Sequence, residues 1–361
     1  MAKLVSSLSA FLILAVTFGA SAKTMKLELY GQTSLEPKLT LNKEAVGGLS
    51  GVFLDGSKLI AVSDDRGKAG PPRFYELTLK ITDKVEMILG KAQHFTATPA
   101  GWVLDIESVA LLAGGDFLLS SEGDNNKKPR AMPRLFVTSS SGVYKSEISI
   151  PDKYLPDAIG LQKKGIENNM AFEGITVHPG TQNFFAMNEY SIIQDQSKDD
   201  DQKAWLRIIE FTKDKDQYKV KAEYPYMVTR LPKNATGIEV FRGVSEILTT
   251  SDSRMIVLER GARLTKSGVA YSGGLYITDL AGAADVSAVA NLSEGKSPAL
   301  KKELLVDLEE LFKNQKVENF EALAWGPNLA DGRKTLLVLS DNNFSAKEKT
   351  TLLVFAVNEV E

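Results

Sequence analysis

The chain has 361 residues, 43% hydrophobic and 25% charged, a composition that suits a globular fold with a sizeable core. Its formal net charge of −3 gives no reason to expect nucleic acid or an anionic membrane surface as a partner. No cysteine is present, which excludes thiol nucleophiles, cysteine-bound zinc, iron–sulfur clusters and a disulfide framework.

The first predicted element is a targeting signal over residues 1–22. Lys3 precedes an apolar run at 10–16, and Ala20-Ser21-Ala22 offers a small-residue cleavage site. The run is too short to span a bilayer, and no cysteine follows the site to take a lipid. The mature protein is therefore expected to be residues 23–361, periplasmic or secreted, monomeric, with no integral membrane segment.

A repeat follows. Residues 49–53 lead through a small-residue turn to 59–65, and the same arrangement recurs at 106–110 to 117–122, 172–176 to 184–189, 244–248 to 255–259, and 320–324 to 335–341. Ser50, Glu107, Glu173, Ser245 and Glu321 hold equivalent places, 57, 66, 72 and 76 residues apart. A third apolar run appears in every copy (74–79, 135–138, 206–211, 274–278, 352–357), and a fourth in most, as at 85–89 and 218–224. The runs are short, rich in β-branched and aromatic residues, and bounded by Gly, Asp, Asn and Ser, so they read as strands. Four-stranded sheets repeated in this way are propeller blades. The last copy lacks a fourth strand, which the run at 25–30 can supply to close the ring. This predicts a single all-β propeller of five blades; six would require a blade with no visible strand pattern. Two insertions interrupt the repeat. Residues 194–203 read as a solvated loop, and Asp199-Asp200-Asp201 lacks the spacing of an EF-hand loop. At 300–316, Leu304, Leu305, Leu308, Leu311 and Phe312 have the spacing of a short amphipathic helix.

The motifs Gly48-Leu49-Ser50-Gly51, Ser63-Asp64-Asp65-Arg66-Gly67, Asp105-Ile106-Glu107, Ser121-Glu122-Gly123, Phe172-Glu173-Gly174, Asn188-Glu189, Leu258-Glu259-Arg260, Asn319-Phe320-Glu321 and Ser340-Asp341-Asn342-Asn343 come in an order that resembles the phytase-like family, described by an esterase-like activity of phytase. The resemblance covers nearly all of the chain after the signal. It implies a β-propeller exported by bacteria, and phosphoester or ester hydrolysis.

The residues themselves limit the chemistry. The only two histidines are His94, in a strand-like run, and His178, in a turn, and no Gly-x-Ser-x-Gly elbow occurs, so a serine hydrolase finds no support. Carboxylates are the abundant alternative. Asp64, Glu107, Glu122, Glu173, Glu189, Glu259, Glu321 and Asp341 fall at strand starts or ends in equivalent places, where a propeller would crowd them around its axis. Such crowding is unfavourable unless cations or arginines neutralise it. Hard oxygen ligands in excess suit Ca²⁺, which can hold a small phosphate ester and acidify a bound water. Arg66 and Arg260 each follow a repeated acid directly and are candidates for gripping that ester. The competing reading makes the acids blade struts, paired with arginines such as Arg73, Arg134 and Arg207 near the third strands. Two functions therefore stand: a calcium-assisted phosphoesterase with catalytic residues unassigned, or a non-catalytic propeller binding a ligand, glycan or protein.

Overall fold

The computed structural model describes residues 24–197, 203–229, 238–266, 268–295, 297–313 and 315–360. The targeting signal and Asp199-Asp200-Asp201 lie outside the described residues.

The chain opens with β1 (Thr24–Ser34) and a short hairpin, β2 (Thr40–Leu41) and β3 (Glu44–Ala45). Blade 1 is β4 (Leu49–Asp55), β5 (Lys58–Ser63), β6 (Arg73–Ile81) and β7 (Val85–His94). Blade 2 is β8 (Ile106–Leu111), β9 (Phe117–Ser121), β10 (Arg134–Thr138) and β11 (Tyr144–Ile148). Blade 3 is β12 (Phe172–Val177), β13 (Phe184–Asn188), β14 (Lys203–Asp214) and β15 (Gln217–Thr229). Blade 4 is β16 (Ile238–Thr249), β17 (Arg254–Thr265), β18 (Gly268–Asp279) and β19 (Lys302–Asp307). Blade 5 has β20 (Asn319–Gly326), β21 (Thr335–Asp341) and β22 (Thr351–Val360), and takes β1 as its fourth strand. All pairings within the blades are antiparallel.

The first strands β4, β8, β12, β16 and β20 touch one another in sequence, and β20 returns to β4, so the ring is closed. The architecture is a five-bladed β-propeller, as the repeat predicts. Its closure comes from β1, which pairs with β22 from Thr24 opposite Val360 to Ser34 opposite Thr351. Apolar residues on both faces of the blades fill five clusters, one in each gap between neighbours. In the gap between blades 1 and 2, for example, Phe53, Phe74 and Phe117 meet edge to face at centroid separations of 5.1 and 5.5 Å. No blade buries its faces alone, so the five make one domain.

Two expectations fail. The leucine-rich stretch at 300–316 is not one helix: Lys302–Asp307 is β19, the fourth strand of blade 4, and only Leu308–Leu311 is helical (α1). The open edge of β18 offers a ladder of backbone partners that a one-turn helix cannot match, and β19 takes it. The stretch at 194–203 is not wholly solvated either. Asp195 is buried and receives the Arg207 guanidinium at 2.6 and 2.9 Å, while Glu223 takes another Arg207 nitrogen at 3.0 Å. No helix among the described residues is long and apolar enough to cross a membrane.

Candidate functional site

Every innermost strand carries a β-bulge, near its start in four blades and well inside β16 in blade 4, and the bulged residue is the repeated one. The register skips Ser50, Glu107 with Ser108, Glu173, Ser245 and Glu321. A bulge kinks the strand and re-aims a side chain. Here it turns successive side chains toward the axis at one end of the channel, so Ser50 Oγ donates to Glu107 at 2.8 Å and lies 3.4 Å from Glu321. Three blades are bridged by that one hydroxyl. The second strands bring their own residues to the same end. The partner of the residue before each bulge is Ser63, Ser121, Asn188, Glu259 and Ser340; the next residues are Asp64, Glu122, Glu189, Arg260 and Asp341.

The equivalent place in blade 4 is therefore held by Arg260, not Glu259. A shift of one residue sends a strand side chain to the opposite face. Glu259 accordingly lies away from the axis, accepting from the Tyr226 hydroxyl at 2.7 Å and from Lys302. The other seven proposed acids, Asp64, Glu107, Glu122, Glu173, Glu189, Glu321 and Asp341, gather at the mouth together with Asp105, which the repeat did not single out. Five of the eight, Asp64, Asp105, Glu107, Glu173 and Glu321, line an open cavity of about 460 Å³ together with Asp65, Arg66, Lys68, Asn169, Arg260, Asn343 and Phe344. Gly47 and Gly48 let this wall close up: a Cβ at Gly48 would stand 2.0 Å from Asp64 Oδ1, and its φ of +65° suits glycine.

Both arginines are engaged. Arg66 pairs with Asp105 and Asn169 and reaches Glu122 at 3.3 Å. Arg260 pairs with Glu189 and Glu321 and donates to Asn319 at 2.9 Å. Of the third-strand arginines, only Arg73 takes an acid next to a repeated one, Asp65 beside Asp64, at 2.8 Å. Arg134 pairs with Glu147 and stacks on Trp102, and Arg207 serves Asp195 and Glu223. Exposed His94 faces Glu44, and half-buried His178 lies against the Pro179 and Asp252 carbonyls, so neither reaches the acids of the mouth.

Eight carboxylates facing two guanidiniums leave the mouth with an excess of negative charge out of water. Burial, then Glu321 and Asp105, pushes Asp64 up to about 7. Burial raises Asp105 to about 6 against the pull of Arg66, and Glu189 to about 7 against Arg260. Burial and neighbouring carboxylates hold Glu107, Glu122, Glu173 and Asp341 well above the ordinary range. Deeper in the channel Glu246 is also raised by burial, although it accepts from Ser108 Oγ at 2.8 Å and from the amides of Ile175 and Ile247. Such an arrangement needs protons or cations to exist. Oxygens of Asp105, Glu107 and Glu122, and of Glu122, Glu173 and Glu189, lie within 4.8 Å of one another, close enough to share a metal ion.

The sequence held a signal for two of the missed residues. Asp105 and Asn319 precede the bulged residue by two, and alternate strand residues share a face. Asn319 uses this to donate to Glu321 at 2.7 Å. Asn169, at φ +59°, and Glu246 had no such signal; a loop and a strand interior place them.

The model of the phytase-like family, described as esterase-like activity of phytase, matches residues 44–344. No curated protein sequence matches the chain. Among solved structures, an endo-arabinase from Bacteroides thetaiotaomicron is 10% identical, with 91% of this chain and 98% of that one covered at a TM-score of 0.47. A native arabinanase from Bacillus subtilis is 12% identical over 92% and 97%, at 0.42. A mannose phosphorylase from Leishmania mexicana is 9% identical over 91% and 88%, at 0.40.

Proposed function

The chain belongs to the phytase-like family, and from that premise we propose that it is an exported, monomeric hydrolase of small phosphate esters, assisted by Ca²⁺ at the propeller mouth. The observation that carries this reading is the excess of buried carboxylates around an open cavity of about 460 Å³. The donor set is oxygen alone, which suits a hard cation of flexible coordination. One buried oxygen, Asp341 Oδ1, has no hydrogen-bond partner, as expected of an atom reserved for something other than protein. The ions would be held by Asp105, Glu107, Glu122, Glu173 and Glu189, with Asp341 beside Asp64 and Glu321. Bound Ca²⁺ would supply charge for the phosphate oxygens and acidify a water.

The protein's own groups supply the rest. Asp64, with a pKa of about 7, lines the cavity and is suited to take a proton from attacking water at neutral pH. Arg66, a quarter exposed, and Lys68 stand where an ester phosphate would enter. Arg260 is more enclosed and holds Glu189 and Glu321 in place for the cation. Its engagement, and that of Arg66, is what favours the rival reading, a propeller that binds without turnover.

Metal analysis of protein purified without chelator should find bound calcium, and phosphate release from small monoesters should rise with added Ca²⁺ and stop with chelator. Metal-free protein with no calcium response and no phosphate release would leave the binding reading. The export step has its own check: intact mass should place the first residue at or near Lys23.

A further inference from the structure

The mouth face carries a second feature with no part in the acid site. Among the described residues the two most exposed large apolar side chains are Leu161, 80% exposed, and Ile159, 73%. They sit one residue apart in the connection from β11 to β12, with exposed Ala158 and Gly160 beside them. Single exposed apolar residues are ordinary on protein surfaces. This pair differs in being displayed by a built scaffold. The Arg130 amide donates to the Ala158 carbonyl at 2.9 Å, and its guanidinium donates to the carbonyls of Asp157 at 2.5 Å and Gly160 at 2.8 Å. Asp157 accepts from the Lys163 amide at 2.7 Å, and Gln162 bonds back to Ile166 at 2.7 Å. Asn125, in the neighbouring β9–β10 connection, donates to Gln162 at 3.1 Å, so the two connections form one tip.

The two connections carry more base than acid. Lys127, Lys128 and Lys163 are exposed in them, Arg130 braces the tip and Lys164 pairs with Asp152, against the further acids Asp124, Asp157 and Glu167. Strands β9 and β11 both end on the mouth side, and the second connection continues to Asn169, which holds Arg66. Two aliphatic side chains on a braced backbone, with exposed lysines in the same two connections, match one kind of surface, a bilayer whose headgroups are anionic: the side chains enter the headgroup boundary and the ammonium groups meet phosphate. We propose that the Ala158–Leu161 tip is an interfacial anchor that docks the mouth face on an anionic phospholipid surface. The formal charge of −3 pointed away from such a partner. It averages the tip with the acids of the mouth, which are buried and partly neutralised.

The inference does not depend on the hydrolase reading, because its test reads binding and not turnover. Purified protein is sedimented with vesicles of phosphatidylglycerol mixed into phosphatidylcholine, and with vesicles of phosphatidylcholine alone. The expected result is co-sedimentation with the anionic vesicles, weakened by salt, and little with the neutral ones. The Ile159→Ser/Leu161→Ser variant should lose affinity on the order of tenfold or more, since burial of two aliphatic side chains is removed. Lys127→Gln/Lys128→Gln should weaken binding to anionic vesicles only. All four side chains are exposed, so unchanged melting temperatures serve as the folding control. Protein that stays in the supernatant with anionic vesicles would overturn the proposal, as would an aliphatic double variant that binds as well as the parent. Equal binding to both kinds of vesicle would overturn the role of the lysines.

Discussion

At the scale of the residue, the site is a contest between protons and cations for the same oxygens. Asp64 and Glu189 stand at about 7 and Asp105 at about 6, all above their ordinary values because burial disfavours the charged form. An acid raised in the native state binds more protons there than in the unfolded chain, so its contribution to stability is fullest below the unfolded pKa and is lost as pH rises through the folded one. In chelator, the melting temperature should therefore fall from about pH 4 to about pH 7. A divalent cation prefers the deprotonated oxygens, so added Ca²⁺ should raise the melting temperature little at the acid end and more at the neutral end. A melting temperature flat across that range in chelator, and unmoved by Ca²⁺, would mean that Arg66 and Arg260 already neutralise the mouth. The sequence disclosed the recurring acid but not its register in blade 4. Strands β16 and β17 run on past Val244 and Glu259, as far as Ile238 and Leu264, so no strand end marks the place. Without that mark nothing in the residue order separates Glu259 from Arg260, and only the pairing assigns the axis to the arginine.

At the scale of the element, the bulge is what converts a repeat into a site. Its sequence trace is a small residue after the bulged one: Gly51 in blade 1 and Gly174 in blade 3. Both have side-chain positions occupied by a neighbouring blade. A Cβ at Gly51 would lie 2.5 Å from Ser108 Cα and 2.6 Å from the Glu107 carbonyl, both backbone atoms. The first strands of blades 1 and 2 can thus approach closely enough for Ser50 to reach Glu107. Gly51→Ala should push them apart, costing about 1–3 kcal/mol as overpacking does. Urea unfolding would measure it, and since Gly51 has no left-handed φ, any cost there reports the lost space and not backbone strain. An unchanged midpoint for Gly51→Ala would show that the blades have slack at the mouth. The strands themselves were legible because their apolar runs are short and their turns polar. The fourth strand of blade 4 was not, because an edge strand with exposed Leu304 carries helix-like spacing as readily as strand alternation.

At the scale of the whole molecule, five apolar gaps and one strand borrowed from the front of the chain make a ring. The pairing of Thr24 with Val360 sets the two ends of the described chain side by side. Closure is therefore a matter of strand pairing and not of where the chain begins. Deleting Thr24–Ser34 would strip blade 5 of its outer strand, expose the edge of β22 and uncover part of the cluster to which Met25 belongs. Unpaired edges of this kind recruit other chains, so the deletion should aggregate or lose its cooperative melt. A circular permutant that joins the ends across Thr24 and Val360 and opens the chain at Gly114-Gly115 keeps every strand. That turn offers open space on both glycines. Its break falls between β8 and β9, inside blade 2, which its own new ends would then close by the same pairing. The permutant should remain a soluble, cooperatively folded protein while the deletion does not. Size-exclusion chromatography with thermal melting of both would decide it. A deletion that stays soluble with the parental melting temperature would mean that the apolar gaps alone hold the ring, and that β1 merely covers an edge.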